Sequence, residues 1–294
     1  MKLILNDKRK IMTAKSLVVL TRSPNKEFES KLIEASSKHS IKTFVLHPSE
    51  IDLPLESFLH AHKELPAPTE TFLWNRVSGT TYDDYDQLIS LSWQQLGAKL
   101  LNCPNIHLNY RDKYRQYLHL KFAGLPVIET HYCQSGKVDL IDFEGPYVVK
   151  TLRGIKGKGV IKVETREALQ DFLTLSNAIG DNRFIIQKYV PYETEIRFLV
   201  HQGKILRSLK KSKKTSSWKH NLESSTWEEF TTPTQQMQET INKIDSLERK
   251  FFYAIDIISN NNNLQILEVN ICPGIEGPDN LRDHSILQEL MNFI

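Results

Sequence analysis

Hydrophobic and polar positions along the first hundred residues predict strands joined by helices. Short strand-type runs lie at 17–20, 41–46 and 72–74, and the first and third are wholly apolar. Near-helical spacing predicts helices at about 28–39 and 82–96, and the second should end at Gly97. The proline-containing segment 47–71 is expected to be mostly loop. Strand–helix–strand alternation of this kind favours a parallel sheet.

The pattern changes at about residue 109, where a helix running to Ala123 is expected. A strand is predicted at 127–130, and a strongly β-type run at 146–150 is followed by another strand at 161–163. The remaining predicted elements are a helix at 167–179, strands at 184–190, 195–200 and 204–209, and a helix at 234–252.

A glycine-rich segment joins two of these strands. It reads R-G-I-K-G-K-G-V over residues 153–160 and contains Gly154, Gly157 and Gly159. It lacks the G-K-[ST] ending of a Walker A loop and the spacing and following helix of a dinucleotide-binding motif. Backbone N–H groups in such a segment can approach phosphates closely, and its basic residues suit a polyphosphate. The segment is either a phosphate-covering flap or a simple hairpin turn with a solvated basic loop.

Two apolar runs near the C-terminus are joined by four asparagines, which predicts a β-hairpin with its tip near Asn262. Residues two apart on a strand share a face, so Glu268 and Asn270 lie side by side, with Asp256 opposite Glu268. Two carboxylates and an amide oxygen suit Mg²⁺, which completes its coordination with water and substrate phosphates. The alternative is a hairpin with polar residues on its solvent-facing side.

The composition is that of an ordinary globular protein, with 40% hydrophobic and 25% charged residues. A net charge of +3 is too small to indicate a nucleic-acid partner. Three scattered cysteines argue against a disulfide framework or a zinc site and fit a reducing compartment. No apolar run reaches the ~18 residues of a membrane span, and the N-terminus lacks a secretion signal. A cytoplasmic protein without a membrane partner is expected.

The densest positive charge is the K-K-S-K-K run at residues 210–214. One interpretation is a solvated loop, which is favoured for Lys213 and Lys214, and the other is a surface that attracts an acidic substrate. Without interleaved aromatic residues, the run does not indicate nucleic-acid binding.

Six motifs, in this order, resemble those of ATP-grasp ligases, most closely the RimK-type carboxylate–amine (α-L-glutamate) ligases. They are R-D-K at 111–113, V-V-K at 148–150, G-x-x-G-x-G at 154–159, E-I-R-F-L-V at 195–200, N-L at 221–222 and E-V-N-I-C-P-G-I-E-G at 268–277. The resemblance covers about residues 70–278. It implies a mixed α/β (α+β) ATP-grasp fold, with a Rossmann-like pre-ATP-grasp domain at 1–105 and ATP-grasp subdomains at 106–190 and 191–294.

The resemblance also implies an ATP site. Lys113 and Lys150 match the pair that contacts the nucleotide phosphates, and the flap glycines match the lid over them. The positions that match the adenine-binding connection, which works largely through backbone groups, are Gln187, Lys188, Tyr189 and Val190. Glu195 matches the acid that holds the ribose hydroxyls.

At the reacting end, Asp256, Glu268 and Asn270 match the Mg²⁺ ligands, with Mn²⁺ as an alternative ion. The positions that match groups near the γ-phosphate and the activated carboxylate are Arg197, Lys211 and Asn221. Arg76 resembles an arginine that faces the acceptor carboxylate. The implied reaction joins an amino acid, for example glutamate, to a carboxylate of a peptide, protein C-terminus or metabolite through an acyl phosphate, with release of ADP.

Two other activities stay open at this point: a dipeptide or glutathione-like ligase, and a degenerate ATP-grasp domain that binds nucleotide without turnover. Three departures from the family pattern concern the substrate end. Cys272, interpreted as a structural thiol, precedes Pro273; Arg153 stands where an acid is common; and Lys211 with Ser212 replaces two arginines. The sequence leaves the acceptor and the oligomeric state open, and a homo-oligomer is compatible with it.

Overall fold

The structure is a computed structural model. It describes residues 15–80, 82–154, 157–181, 183–192, 194–213, 225–248, 252–260, 263–275 and 285–294. These residues form three β-sheets and eight α-helices, so the predicted mixed α/β class is confirmed. None of the helices in these ranges is long and apolar enough to cross a membrane. The predicted domain boundaries stay a prediction.

The N-terminal sheet is parallel, as the alternation of elements predicts. Its strands are β1 (Ser16–Leu20), β2 (Lys42–Leu46), β3 (Thr71–Asn75) and β4 (Lys99–Leu101), in the order β2-β1-β3-β4. The helices of this part are α1 (Lys26–Lys38), α2 (Leu55–Ala61) and α3 (Tyr85–Gln95). The Asn25 side chain begins α1 by accepting hydrogen bonds from the backbone N–H groups of Glu27 and Phe28.

Two predictions for this part are wrong in detail. The segment 47–71 contains α2, because Pro54 lies just before the helix and Leu55 and Phe58 bury its inner face. The helix predicted from residue 82 begins at Tyr85, because Asp84 adopts a left-handed backbone with φ of 47°.

The helix predicted from residue 109 to residue 123 is two helices, α4 (Pro104–Arg111) and α5 (Lys113–Phe122). Asp112 separates them with an extended backbone, and its side chain accepts hydrogen bonds from the N–H groups of Tyr114 and Arg115 at 2.9 and 3.0 Å. This cap makes Lys113 the first residue of α5.

The second sheet is antiparallel and carries the flap. Its strands are β5 (Thr130–His131), β6 (Tyr147–Thr151), β7 (Val160–Val163) and β8 (Phe184–Lys188), in the order β5-β8-β6-β7. Helix α6 (Arg166–Ala178) packs Leu169 and Leu173 against it. The strand predicted at 127–130 is mostly irregular, and Val127 instead makes an isolated bridge to Ile266.

The third sheet is antiparallel, and its two faces differ. Its elements are β9 (Thr194–His201), β10 (Lys204–Lys213), β11 (Ser225–Glu229), α7 (Gln235–Leu247), β12 (Phe252–Asn260), β13 (Asn263–Asn270) and α8 (Ser285–Met291), with strand order β11-β10-β9-β12-β13. One face packs on α4, α5 and α7. The other is apolar where Leu199 and Ala254 join the core of the N-terminal sheet. Farther along, this second face carries Glu195, Arg197 and Asp256.

Strand β10 is longer than predicted. The interpretation of residues 210–214 as a solvated loop is wrong for residues 210–213, which extend the strand, whereas Lys214 lies outside the described residues. The Lys210 ammonium lies 2.8 Å from the Glu228 carboxylate, and Lys211 is buried. Part of the positive charge is therefore neutralised within the sheet.

Candidate active site

Asp256 and Glu268 lie directly opposite each other on β12 and β13, as predicted. Nearer the turn, Asn260 pairs with Asn263 and Ile257 pairs with Ile266. A β-bulge between Asp256 and Ile257 shifts the register. Without it Asp256 would face Leu267, and Glu268 would turn toward the core face of the sheet. The bulge is what places the two carboxylates on one face.

Arg197 holds Asp256 from the neighbouring strand β9. Its Nε and Nη2 donate hydrogen bonds to the two carboxylate oxygens of Asp256, each at 2.6 Å. Burial acts to lower the pKa of Arg197, but the charge and hydrogen bonds of Asp256 outweigh it, so the pKa is raised. This bidentate pair fixes the orientation of the Asp256 carboxylate beside Glu268.

A second buried ion pair lies one step farther along the same face. The Lys211 ammonium is 2.8 Å from the Glu195 carboxylate, and both side chains are less than one tenth exposed. Lys211 also lies over the Trp227 ring, 5.3 Å from its centre. Burial and the nearby Asp256 charge raise the pKa of Glu195, while Lys211 opposes that rise. Glu195, predicted to bind the ribose, and Lys211, predicted to lie near the γ-phosphate, therefore form an ion pair with each other.

The two predicted phosphate lysines face this charged hairpin. Lys113, Lys150, Gln187 and Glu268 line one cleft between the second sheet, α5 and β13. Burial lowers the pKa of Lys150 to about 8, although the Glu268 carboxylate opposes the shift, and Lys113 adds to it. Lys113 also donates a hydrogen bond from Nζ to the Gly154 carbonyl at 3.2 Å. Groups far apart in the sequence therefore meet in this cleft.

A second cleft adjoins the first and shares three lining residues with it, Tyr117, Val127 and Ile128. Lys188 and Val190 of the predicted adenine-binding connection line it. The backbone N–H of Lys188 donates a hydrogen bond to the Glu129 carbonyl, and that of Tyr189 donates to the Pro146 carbonyl. The Gln187 side chain is buried and donates to Thr130 Oγ1 at 2.8 Å.

At Gly154 and Gly159, in the base of the flap, there is no room for a larger side chain. A Cβ on Gly159 would lie 2.7 Å from Thr151 Oγ1, and one on Gly154 would lie 2.9 Å from the same atom. Gly157 has open space around it but a left-handed φ of 70°. Residues 155 and 156 lie outside the described residues.

Arg76, predicted to face the acceptor carboxylate, and Asn270, a predicted metal ligand, both contact the segment 272–273. The Arg76 guanidinium lies over the rings of Phe28 and Trp74, at 4.4 and 4.6 Å, and donates to the Pro273 carbonyl at 3.4 Å. Asn270 Oδ1 accepts a hydrogen bond from the backbone N–H of Cys272 at 3.0 Å. Asn221 lies outside the described residues.

Cys272 has the environment of a structural thiol. Its Sγ lies 3.4 Å from the Val77 carbonyl, to which it donates. Burial raises the pKa of the thiol to about 11, so it stays protonated at neutral pH. This favours the structural interpretation over a nucleophile.

Sequence reasoning missed two buried amides that hold the hairpin in place. Gln116 on α5 donates to the Val269 carbonyl at 2.7 Å and accepts from the Val269 N–H at 2.9 Å. Asn102 does the same for β12, exchanging hydrogen bonds with the Phe252 backbone at 2.6 and 2.8 Å. No local pattern marks Gln116, but the N-C-P sequence at residues 102–104 could have indicated a turn at Asn102.

The donor chemistry of the hairpin fits a hard cation. In the parts of the chain that the structure describes, no three His, Cys, Asp or Glu side chains form a metal-binding group. The metal ligands predicted from the sequence are not such a group, since they are two carboxylates and one amide. Mg²⁺ commonly takes only one or two protein carboxylates. Asp256 and Glu268, as direct cross-strand neighbours, provide these two. Their role as metal ligands stays a prediction.

A family model, the RimK-like ATP-grasp domain, matches residues 121–294, more than half of the chain. The chain belongs to the RimK-like ATP-grasp family. The prediction of an ATP-grasp ligase is thereby confirmed, and ATP use follows from the family.

Relatives of this RimK-like ATP-grasp protein include a probable alpha-L-glutamate ligase of Maridesulfovibrio salexigens. It is 27% identical over 74% of this chain and 73% of the relative. The probable alpha-L-glutamate ligase 1 of Shewanella denitrificans is 25% identical over 95% of this chain and 96% of its own length. The similarity to the second relative therefore extends over nearly the whole chain.

Solved structures confirm the fold. A RimK domain ATP-grasp protein from Sphaerobacter thermophilus has a TM-score of 0.69 at 17% identity, covering 94% of this chain and 98% of that protein. The D-alanine–D-alanine ligase from Bacillus anthracis, complexed with ATP, has a TM-score of 0.64 at 16% identity, covering 95% and 92%. At these identities the likeness shows the ATP-grasp fold alone, with the predicted Rossmann-like N-terminal layer included in the match.

Proposed function

We propose that this RimK-like ATP-grasp protein is a carboxylate–amine ligase that releases ADP and phosphate. The observation that carries the proposal is the meeting of Lys113, Lys150 and Glu268 in one cleft beside the Asp256–Arg197 pair. The proposed reaction joins an amino acid, for example glutamate, to a carboxylate of a peptide, a protein C-terminus or a small metabolite. The names of the two relatives, probable alpha-L-glutamate ligases, support glutamate as the first amine to test.

The proposed chemistry has two steps. A carboxylate oxygen attacks the γ-phosphorus of ATP, an O–P bond forms, and the bond to the β–γ bridging oxygen breaks, so ADP leaves. The nitrogen of the amine then attacks the acyl carbon, a C–N bond forms, phosphate leaves, and the nitrogen loses a proton. Phosphoryl transfer of this kind depends mainly on positioning and charge neutralisation. A side-chain nucleophile is therefore not required.

The charged residues divide this work between them. Lys113 at the start of α5 and Lys150 on β6 both line the cleft and would bind the nucleotide phosphates there. Asp256, Glu268 and Asn270 would hold Mg²⁺, or Mn²⁺ in its place, and the ion would neutralise charge on the transferred phosphoryl group. Arg197 orients Asp256 and adds a positive charge on the same sheet face.

The remaining predicted residues would orient the nucleotide and the acceptor. Glu195 would bind the ribose hydroxyls, and its pair with Lys211 holds both side chains at fixed positions. Arg76, beside the Pro273 carbonyl, would bind a carboxylate of the acceptor. The flap would keep water away from the acyl phosphate.

The test is a product analysis on the purified chain. The protein is incubated with ATP, Mg²⁺ and single amino acids, alone and with peptides that end in glutamate, and the products are read by mass spectrometry. We expect ADP together with a mass increase of one amino-acid residue on an acceptor. AMP as the nucleotide product would overturn the acyl-phosphate mechanism. Nucleotide binding without ADP release would favour the degenerate nucleotide-binding domain instead.

A further inference from the structure

An ion pair ties the base of the flap to the N-terminal part of the chain. Arg153, the residue before Gly154, donates from Nη1 and Nη2 to the two carboxylate oxygens of Asp84, each at 2.8 Å. Arg153 is only 10% exposed and Asp84 is 37% exposed. The geometry is the parallel, two-bond arrangement that guanidinium and carboxylate groups favour. Position 153 is also where the family resemblance is broken, because an acid is common there.

An aromatic contact strengthens the same connection. Two guanidinium groups contact the Tyr82 ring, with Arg153 at 4.8 Å and Arg183 at 4.7 Å from its centre. Arg153 follows β6 and Arg183 precedes β8, and the Leu152 N–H donates to the Arg183 carbonyl at 2.9 Å. Tyr82 and Asp84 therefore contact the same end of the second sheet, next to the flap.

The segment that presents Asp84 is itself held firmly. Arg111, buried on α4, binds both carboxylate oxygens of Asp86 and donates to the Val77 carbonyl at 2.9 Å. Asn75 donates to Asp86 Oδ2 at 2.6 Å. Asp84 has a left-handed backbone, which is uncommon for residues other than glycine and is often found at functional sites. The carboxylate is therefore presented from a fixed support.

The other side of the flap base is held by the predicted phosphate lysine. Lys113 donates its backbone N–H to the Leu152 carbonyl at 3.0 Å and its ammonium to the Gly154 carbonyl at 3.2 Å. The connection between β3 and α3 also begins beside the candidate substrate end, because Arg76 contacts the Pro273 carbonyl. One short connection thus reaches from the acceptor side of the site to the base of the flap.

We propose that Asp84 is a positioning residue which, through Arg153, fixes the base of the flap over the nucleotide phosphates. This inference rests on the proposed ligase function and deepens it. An acyl phosphate reacts with water as well as with an amine: water attacks the acyl carbon, the bond to phosphate breaks, and the carboxylate is regenerated. A flap that is not held by Asp84 admits water, so ATP is consumed without amide formation.

The test uses Asp84→Asn, Arg153→Gln and the double variant. Asparagine matches aspartate in shape and tolerates the left-handed backbone, so the fold at residue 84 is preserved while the charge is removed. The matched control is Asp83→Asn, because the neighbouring Asp83 binds Arg22 at 2.6 Å and contacts none of the flap residues that the structure describes. Arg153→Lys keeps the charge but loses the two-bond geometry, and an intermediate effect is expected.

The first measurement is limited trypsin cleavage after Lys158 in the flap, with the β,γ-imido analogue of ATP and Mg²⁺ present. Cleavage should become about five- to tenfold faster in each single variant, as expected for the loss of one partly buried, two-bond ion pair. All three variants lose the Asp84–Arg153 pair, so the double variant should be cleaved little faster than the single ones. Asp84→Asn additionally removes the charge that Arg111 Nη1 contacts at 3.4 Å, and Arg153→Gln removes the contact with the Tyr82 ring. Asp83→Asn should be cleaved at the wild-type rate. Equal rates in wild type and Asp84→Asn would overturn the proposal.

The second measurement is the ADP released per amide formed, which a merely structural loss of stability would not change. It should rise about five- to tenfold in Asp84→Asn and Arg153→Gln, in step with the loss of flap closure, and stay at the wild-type ratio in Asp83→Asn. If the wild type forms amide and Asp84→Asn releases the same amount of ADP per amide as the wild type, Asp84 has no positioning role. A wild type that forms no amide would refute the proposed ligase, and the trypsin measurement would still decide the contact between Asp84 and the flap.

Discussion

Arg197 and Asp256 face each other on neighbouring strands, and both of their hydrogen bonds are 2.6 Å long. On one side the Asp256 carboxylate binds the Arg197 guanidinium, and on the other side, across the strand pair, lies Glu268. The two carboxylates of the hairpin have different surroundings, since Asp256 is buried and Glu268 is half-buried in the cleft with Lys150. Neutralising one should therefore not have the same effect as neutralising the other.

Glu268→Gln should abolish turnover, by about 100-fold or more, and leave the fold intact. Asp256→Asn should also lose turnover but in addition lower the free energy of unfolding by about 2–3 kcal/mol, because the Arg197 guanidinium loses its charge partner. ADP release and urea unfolding measure the two effects separately. Full activity of Glu268→Gln would show that the metal assignment is wrong.

Nucleotide affinity should fall above about pH 8, because burial lowers the pKa of Lys150 to about 8 and its positive charge is lost beyond that pH. Stability should change in the opposite direction. Between pH 8 and the ordinary lysine pKa the unfolded chain binds more protons than the folded protein, so the free energy of unfolding rises with pH. Calorimetric ADP binding from pH 7 to 9.5 tests the first effect. Lys150→Arg, which stays charged, should show a weaker pH dependence, and an equal slope would contradict the assignment.

Gly159→Ala should impair the flap more than Gly157→Ala. Both positions have a left-handed φ near 70°, so both substitutions carry the same backbone strain. Only at residue 159 would the new Cβ also meet the Thr151 side chain, at 2.7 Å. ADP-release rates of the two variants compare the effects directly. Equal losses would show that backbone strain, and not the close approach to Thr151, makes glycine necessary at residue 159.

Asn102→Ala should be among the more destabilising single changes in the chain. Its side chain makes three buried hydrogen bonds, to both backbone groups of Phe252 and to the Ile271 carbonyl, and their loss should lower the free energy of unfolding by about 3 kcal/mol. Asn102 has a φ of 61°, so Asn102→Gly loses the hydrogen bonds without backbone strain and should be about 1 kcal/mol less harmful. Chemical denaturation measures both. A cost below about 1 kcal/mol for either variant would contradict this role.

Local sequence determined most of the elements and much of the site. Apolar periodicity predicts the parallel N-terminal sheet and both strands of the acidic hairpin, because period 2 and period 3.6 patterns reflect which side chains must be buried. Spacing from the asparagine turn placed Asp256 opposite Glu268, as the structure has it. The β-bulge that brings Asp256 opposite Glu268 is itself not visible in the sequence pattern.

Where local pattern was ambiguous, tertiary contacts decided the outcome. Helix α2 forms inside a proline-rich segment because Leu55 and Phe58 find a core to pack against. Lys211 belongs to a strand and not to a solvated loop, because Glu195 on β9 and the pairing with β11 compensate the burial of its charge.

The sequence by itself determined the family, the order of the motifs and the candidate phosphate and metal residues, because each motif is short and is dictated by the ligand that it binds. Only the tertiary structure decided which charges are paired: Arg197 with Asp256, Lys211 with Glu195, and Arg153 with Asp84. The members of each pair are distant in sequence or on different elements. Their contact depends on strand order and on how the sheets pack together, and no local periodicity records either.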